Sequence, residues 1–263
     1  MPQSTVLKKI YSKKHLNSWI HEKTMQHASG IWGRTKLFSY LKNKIKTGDC
    51  VVDLGCGTGY PTFKLKSFVG LMGKIIGYDN SSESIEIAKN TYSEDNNLSF
   101  VIHDVSQPFP IWAKSVDHFI SFMLLHNLRG FEIDRLFKQI KYCMKNKGTA
   151  TFLTMHPDAF SEDWDLDFVK YSKSHIQRWR KRKQDDVLIP GFVINACDKD
   201  KKPVMAYIHS HNQITTLLKK YLLRIADEVP ICIDRKTAAK NFGVNSIKQL
   251  PKVPLFWIFS IRS

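Results

Sequence analysis

The stretch Cys50-Val-Val-Asp-Leu-Gly-Cys-Gly-Thr-Gly59 is the part of this 263-residue chain that decides its fold. It begins with an apolar run, which predicts a short strand buried on both faces of a sheet. Three glycines follow at alternate positions, Gly55, Gly57 and Gly59, and Pro61 suits the first turn of a helix. A strand, a glycine turn and a helix bring backbone N–H groups close to a ligand. The stretch therefore predicts a ligand-binding loop.

Two details distinguish this loop from other glycine loops. The dinucleotide-binding fingerprint has its third glycine where this chain has Tyr60, so a nicotinamide dehydrogenase is disfavoured. Asp53 lies just before the first glycine, where its carboxylate would face the cationic end of a ligand. Residues 51–59 resemble the first motif of class I methyltransferases that use S-adenosylmethionine, of the small-molecule type with a methyltransferase-11-like domain. On this loop the resemblance implies that the cofactor is bound by Asp53, Gly55, Cys56, Gly57, Thr58 and Gly59.

The second predicted strand, residues 74–79, ends in a carboxylate. This residue is Asp79, and it lies 20 residues beyond Gly59. In doubly wound sheets an acid at this strand end accepts hydrogen bonds from both ribose hydroxyls of a nucleotide-like ligand. Asp79, with Asn80 beside it, is therefore the predicted ribose ligand. Asn80 and Glu83 also form a capping-box-like start for the next helix.

The third predicted strand, residues 98–103, shows the alternation of apolar and polar residues that is typical of a strand. The resemblance implies that Asp104, directly after it, binds the adenine amino group of the cofactor. It also implies that His103 or Val105 packs against the adenine ring.

The fourth predicted strand lies within residues 116–128. This segment is similar to the family's pattern F-D-x-V-x-S-x-x-x-L-H-x-L, although Val116 stands where the family usually has phenylalanine. The resemblance implies that the backbone at Phe122 or Met123 contacts the methionine half of the cofactor. His126 lies close by, where it either takes part in the chemistry or packs the start of a helix.

Histidines are the candidates by residue type if methyl transfer needs a general base. We name His126 and His156 as candidate catalytic residues, and His209 and His211 are further candidates. The five cysteines include no C-x-x-C pair, so they predict reduced thiols rather than a disulfide framework or a metal site.

Strands and helices alternate along the chain, which predicts a parallel sheet with crossover helices. We predict an α/β fold with a Rossmann-like, doubly wound, seven-stranded sheet that is mostly parallel and has an antiparallel last strand. Residues 1–263 form one domain, with an N-terminal helical cap over 1–48, a cofactor-binding core over 49–156, a lid over 157–211 and the C-terminal part of the sheet over 212–263. The resemblance implies that Tyr11 and Arg34 of the cap reach the cofactor. The lid, a helix followed by a β-hairpin, is where the resemblance implies recognition of the acceptor.

The chain is strongly basic, with 40 Lys and Arg against 24 Asp and Glu and a formal net charge of +16. Seven of these basic residues lie in the run Lys170–Lys183, where Tyr171 and Trp179 are interleaved as stacking residues are in nucleic-acid binders. The run is alternatively a solvated helix face. No apolar run is long enough for a membrane span and no signal region is visible, so we expect a cytoplasmic protein without a membrane partner.

The favoured function is transfer of a methyl group from S-adenosylmethionine to an O, N or C atom of a small-molecule acceptor. Methylation of RNA such as tRNA is the alternative, because Lys170–Lys183 could bind phosphates, although no separate RNA-binding module is visible. A scaffold or sensor that binds the cofactor without catalysis is the third possibility, and the intact glycine loop with Asp79 argues against it. The acceptor, the methylated atom and the oligomeric state do not follow from the sequence.

Overall fold

Two sheets contain the strands of the fold. The computed structural model describes residues 27–92, 96–161, 163, 165–182, 187–194, 201–243, 245 and 247–263. The strands of the large sheet are β1 (Cys50–Leu54), β2 (Lys74–Asp79), β3 (Leu98–Ile102), β4 (Val116–Phe122), β5 (Met144–Met155), β10 (Arg224–Ile231) and β12 (Phe256–Arg262). Those of the small sheet are β6 (Asp165–Leu166), β7 (Val169–Tyr171), β8 (Val187–Ile194), β9 (Lys201–Ile208) and β11 (Ile247–Gln249).

The large sheet has the strand order β10-β12-β5-β4-β1-β2-β3. The five strands from β5 to β3 are parallel to one another. β12 is antiparallel to both of its neighbours, so β10 runs in the same direction as the parallel strands. These pairings confirm the predicted doubly wound, seven-stranded sheet with an antiparallel last strand.

Helices cover both faces of the large sheet. A π-helical segment, Ser29–Arg34, continues into α1 (Thr35–Leu41), and the later helices are α2 (Tyr60–Val69), α3 (Ser82–Thr91), α4 (Gly130–Cys143), α5 (Lys173–Arg182), α6 (His211–Lys219) and α7 (Arg235–Phe242). Apolar residues of α1, α2 and α3 share one buried cluster with Val51, whereas those of α4 and α6 share a second cluster with Val52. Successive residues of β1 thus point into opposite cores, which is why Val51 and Val52 follow each other with no polar residue between them.

The start of α3 differs from the prediction. Ser81, not Asn80, is the N-cap residue, and its hydroxyl accepts a hydrogen bond from the backbone N–H of Ser84 at 3.1 Å. Glu83 lies 3.2 Å from the same hydroxyl. The cap is shifted by one residue because the carboxylate of Asp79 accepts the N–H of Ser81 at 2.9 Å and so fixes the preceding turn.

The small sheet has the order β11-β6-β7-β8-β9, and its strands β6 to β9 lie in the segment predicted to form the lid. The helix α5 and the hairpin β8–β9 lie where the sequence predicted them. The prediction missed β6 and β7, which are too short to show alternation, and it missed β11, which joins this sheet from the C-terminal part of the chain. No helix in the described part of the chain has the length and apolarity needed to cross a bilayer.

Phe152 in the middle of β5 offers a test of the core. Its fully buried ring stacks on Phe259 with 5.0 Å between centroids and meets Phe137 edge-on at 5.9 Å. Phe152→Ala should therefore lower the free energy of unfolding by about 3–5 kcal/mol, measured by urea denaturation. Phe131→Ala, at an exposed site on α4, is the control and should change it by about 1 kcal/mol or less. Equal effects of the two substitutions would contradict this core.

Candidate active site

A cavity of about 480 Å³ lies at the carboxyl ends of the parallel strands, where doubly wound sheets bind their ligands. Most of the residues that the sequence analysis assigned to the cofactor line this cavity. They are Arg34, Gly55, Cys56, Gly57, Thr58, Asp79, Asn80, His103, Asp104, Val105, Phe122 and Met123. Asp53 and Gly59 do not line it, and Tyr11 lies outside the described residues.

The glycine loop is held against β2 by its own backbone. The N–H groups of Gly55 and Cys56 both donate to the carbonyl oxygen of Tyr78, at 2.8 and 2.9 Å. Gly59 has a φ of 87°, and a Cβ on it would lie 2.9 Å from the side chains of Ala88 and Phe100. Gly59 is therefore needed for the close approach of α2 to α3 and β3, behind the ligand cavity rather than in its wall.

Asp79 connects the loop to the end of β2. One carboxylate oxygen accepts the N–H of Gly57 at 2.9 Å, and the other accepts the N–H of Ser81 at 2.9 Å. Burial raises the pKa of Asp79, while the N–H groups of Ser81, Gly57 and Asn80 favour its ionised form. Each carboxylate oxygen can accept a further hydrogen bond. The side chain can thus receive two hydroxyl groups from a ligand in the cavity.

Asp53 is completely buried instead of facing the cavity as its position in the sequence predicted. The hydroxyl of Thr62 donates to its carboxylate at 2.7 Å. Burial raises the pKa of Asp53 to about 6, although the Thr62 hydrogen bond and the charge of Arg34 both act to lower it. In this position the carboxylate acts on the site through its charge and through the first turn of α2.

Arg34 brings a buried cation to the cavity wall. Its guanidinium carbon lies 3.8 Å from the ring centroid of Phe122 and 5.7 Å from that of Tyr60, so the group stacks on aromatic faces. Burial lowers the pKa of Arg34 to about 10, which leaves it charged at neutral pH. The π-helical segment that ends at Arg34 positions it beside the end of β4.

The turns after β3 and β4 complete this half of the cavity. The carboxylate of Asp104 accepts the N–H of Ser106 at 2.9 Å, and the ring of His103 packs 5.0 Å from that of Tyr78. Met123 has a φ of 56°, a left-handed conformation that is rare for a residue with a long side chain. Its N–H donates to the carbonyl oxygen of Leu153 at 2.7 Å. Such strain is typical of functional sites.

Of the four candidate histidines, His126 alone lines the large cavity. It is buried, its Nδ1 has no hydrogen-bond partner in the described part of the chain, and burial lowers its pKa to about 4. His156 packs on Trp257 and lines a neighbouring cavity of about 20 Å³. Nε2 of His209 donates to the carbonyl oxygen of Leu128 at 2.8 Å, and His211 lies 3.4 Å from Glu228.

The other end of the cavity is almost entirely apolar, and it was not predicted from the sequence. Its residues come from the loop after β4, from the ends of β5 and β12, and from the small sheet. They are Leu124, Leu128, Met155, Val169, Tyr171, Val204, Met205 and Phe256. The apolar run 204–208 of β9 was visible in the sequence, but nothing in it showed that Val204 and Met205 line a cavity.

The buried carboxylate of Asp53 predicts a pH effect on stability. The pKa of Asp53 in the folded protein, about 6, lies above its ordinary value of 3.8. As the pH rises from about 4 to 6, the wild type therefore loses stability, because this carboxyl ionises more readily in the unfolded chain. Asp53→Asn has no ionisable group at this position and does not lose that stability. The free energy of unfolding of the variant, relative to wild type, should therefore rise by about 2–3 kcal/mol from pH 4 to pH 7. Urea denaturation at each pH measures this difference.

Asp227→Asn is the matched control, because a hydrogen bond from Tyr40 lowers the pKa of the exposed Asp227 carboxyl. The stability that Asp227 contributes is lost only as the pH falls below its ordinary value of 3.8, so its difference from wild type should stay nearly flat. A flat difference for Asp53→Asn as well would contradict the buried carboxylate.

Comparisons with known proteins agree with this geometry. Residues 51–148 match the family described as "Methyltransferase domain". The juvenile hormone acid O-methyltransferase of Bombyx mori is 32% identical over 210 residues, which are 77% of this chain and 71% of that protein. The probable S-adenosylmethionine-dependent methyltransferase CRG1 of Saccharomyces cerevisiae is 26% identical over 197 residues, and the match spans 72% of this chain but 62% of the yeast protein.

The fold is likewise shared with solved structures. A SAM-dependent methyltransferase from Aquifex aeolicus superposes with a TM-score of 0.59 at 14% identity, covering 96% of this chain and 99% of that one. The glycine motif, the strand order and the similarity to the silkworm enzyme lead to one conclusion. The chain belongs to the class I S-adenosylmethionine-dependent methyltransferases.

Proposed function

We propose that this protein transfers the methyl group of S-adenosylmethionine to an oxygen atom of a small, largely apolar acid. The observation that carries the proposal is one continuous cavity with two unlike ends. One end contains the glycine loop, Asp79 and Arg34, and the other is walled by apolar side chains of the small sheet. A polar cofactor and an apolar acceptor would meet where these ends join.

The residues at the polar end fit S-adenosylmethionine. Asp79, with Asn80 beside it, would accept the two ribose hydroxyls, and Asp104 would bind the adenine amino group between His103 and Val105. Gly57 presents backbone at the cavity without a Cβ in the way. At the methionine end, Arg34 would pair with the carboxylate and the backbone of Phe122 or Met123 would contact the chain. When bound, the cofactor supplies a methyl group on a positively charged sulfur.

The apolar end favours an acceptor with a hydrocarbon body. Among the cavity-lining residues, the ionised groups belong to the polar end, and the small sheet contributes Val169, Tyr171, Val204 and Met205. A binding site lined in this way selects its ligand by shape and by a small number of polar contacts. It would also exclude water and hold the acceptor in line with the methyl group.

The protonation state of His126 favours an acceptor that needs no base. Because burial lowers its pKa to about 4, the ring is neutral at neutral pH and is a poor proton acceptor there. A carboxylic acid is already ionised at that pH and can attack without losing a proton. His126 would then donate a hydrogen bond that positions the carboxylate. The name of the silkworm relative, an acid O-methyltransferase, supports this class of acceptor.

The described contacts favour this function over RNA methylation. The ring of Trp179 packs edge-on to Phe160 with its Nε1 enclosed, and Tyr171 packs against the same ring. Both aromatic residues of the basic run thus point inward, where they cannot stack on bases. Arg180 pairs with Asp163 at 3.0 Å and also donates to the carbonyl oxygen of Phe160. Lys173, Arg178 and Lys181 of the same helix are exposed to solvent.

Asp79→Ala tests the proposed cofactor site. It removes the acceptor for the ribose hydroxyls and for the N–H of Gly57, so calorimetry should show affinity for S-adenosylmethionine weakened by about tenfold to a hundredfold. Asp227→Ala, on the edge strand β10, is the matched control and should bind as wild type does. Unchanged affinity of Asp79→Ala, with the thermal unfolding of both variants alike, would contradict the ribose assignment.

Methyl-labelled S-adenosylmethionine, incubated with the protein and a fractionated cell extract, tests the acceptor. We expect label in the organic-soluble small molecules, and we expect mild base to release it as methanol, because a carboxyl methyl ester hydrolyses whereas N-methyl and C-methyl products do not. Met205→Glu places a charge in the apolar wall and should reduce labelling by about tenfold or more while cofactor binding stays intact.

The matched control for labelling is Arg178→Glu with Lys181→Glu, on the exposed face of α5. This variant should label small molecules as well as wild type does. Label in the RNA fraction that disappears in the control variant would contradict a small-molecule acceptor. Label in small molecules that resists base would keep the enzyme class and refute the acid.

A further inference from the structure

The most exposed large apolar side chains in the described part of the chain all lie at one end of the molecule. They are Leu71, Trp112, Met72, Leu222 and Tyr142, with exposures of 91%, 87%, 83%, 80% and 60%. Leu71 and Met72 precede β2, Trp112 precedes β4, Tyr142 precedes β5 and Leu222 precedes β10. Because these strands are parallel, their starts share one edge of the sheet, opposite the cavity at their carboxyl ends.

A backbone hydrogen bond and a turn order the chain at several of these residues. The backbone N–H of Lys114 donates to the carbonyl oxygen of Tyr142 at 3.2 Å, which ties the segment of Trp112 to the end of α4. Leu222 has a φ of 55°, a conformation that is unfavourable for leucine. This turn leaves Leu222 in solvent while Leu223 beside it is buried. The exposed positions therefore belong to ordered backbone.

Among the described residues at this edge, positive charges outnumber negative ones. Four acids on or near it are paired, Asp49 with His118, Asp117 with Lys145, Asp134 with Lys220 and Asp227 with Lys44. The strand starts, the segments before them and the end of β12 carry further basic residues that form no ion pair with any acid in the described ranges. They are Lys42, Lys46, Lys74, Lys114, Lys141, Lys147, Arg224 and Arg262. We call these eight residues and the five apolar ones the basal surface.

We propose that the basal surface binds the surface of a membrane that contains anionic lipids. Its apolar side chains would enter the boundary between headgroups and acyl chains, where tryptophan and tyrosine are favoured. Its lysines and arginines would lie against the lipid phosphates, which attract basic residues placed close to the bilayer. This mode of binding needs no membrane-spanning helix. The expectation of no membrane partner is the alternative that the vesicle experiment tests.

Two other occupants fit the basal surface less well. A second copy of the chain would bring two surfaces of the same positive sign together, which is repulsive. RNA would satisfy the cations and could stack on Trp112 and Tyr142, but it offers no partner to Leu71, Met72 and Leu222. Apolar and basic residues on one face are together complementary to a lipid surface. The inference does not depend on which acceptor the enzyme methylates.

Sedimentation of the full-length protein with vesicles tests the proposal. Vesicles of phosphatidylcholine mixed with phosphatidylglycerol should bind the protein, vesicles of phosphatidylcholine alone should bind it much more weakly, and added salt should reduce the binding. The triple variant Leu71→Asn, Met72→Asn and Leu222→Asn should bind at least about tenfold more weakly. Lys74→Glu and Lys114→Glu should each weaken binding by about fivefold or more. All these side chains are exposed, so thermal unfolding should stay unchanged.

Matched controls come from elsewhere on the surface. Phe131→Asn removes an exposed aromatic side chain from the first turn of α4, and Arg178→Glu with Lys181→Glu reverses charges on α5. Both should sediment with vesicles as wild type does. The proposal is overturned if the mixed vesicles do not bind, or if the α5 variant loses binding while the basal variants keep it. Loss of binding with the charge variants alone, together with displacement of vesicles by tRNA, would also overturn it in favour of a polyanion site.

A self-association surface is the remaining competitor, and it gives a different result. Analytical ultracentrifugation should find wild type and the triple apolar variant in the same oligomeric state. A dimer that dissociates in the triple variant would overturn membrane binding as the role of this surface.

Discussion

The ligand cavity depends on one carboxylate, that of Asp79, at the end of β2. Its two oxygens accept N–H groups from Gly57 and Ser81, so one side chain holds both the glycine loop and the start of α3. Without this anion, the N–H groups of Gly57 and Ser81 would lose their acceptor. The remaining lone pairs of the same carboxylate face the cavity wall, so the group that organises the loop is also available to a ligand.

The two sheets contribute different kinds of side chain to the cavity. The parallel sheet supplies helix starts, glycine turns and charged side chains at its carboxyl edge, which suit a polar cofactor. The small, antiparallel sheet supplies apolar side chains to the same cavity, and its strands do not pair with those of the large sheet. His126 lines the same cavity, and burial lowers its pKa to about 4, so its ring is neutral at neutral pH.

Much of this arrangement follows from local sequence patterns. The strands β1 to β4 and the loop Gly55–Gly59 were predictable because apolar runs and glycine spacing are short-range signals. The burial of Asp53 was not, since it depends on Thr62 in the next helix and Arg34 in the cap. The apolar end of the cavity and the basal surface were also hidden. Each of them is assembled from residues that are far apart in the chain. Which of these residues come together depends on the handedness and order of the strands.

The presence of β11 in the small sheet has a consequence for access to the cavity. This strand lies between β10 and β12 in the chain, yet it pairs with β6 of the small sheet. The side chain of Gln249 also donates a hydrogen bond to the carbonyl oxygen of Asp163 at 3.0 Å. The small sheet, which lines the apolar end of the cavity, is therefore built from two separate segments of the chain and not from one insertion. These paired strands have only two and three residues, so few hydrogen bonds break when the two segments separate.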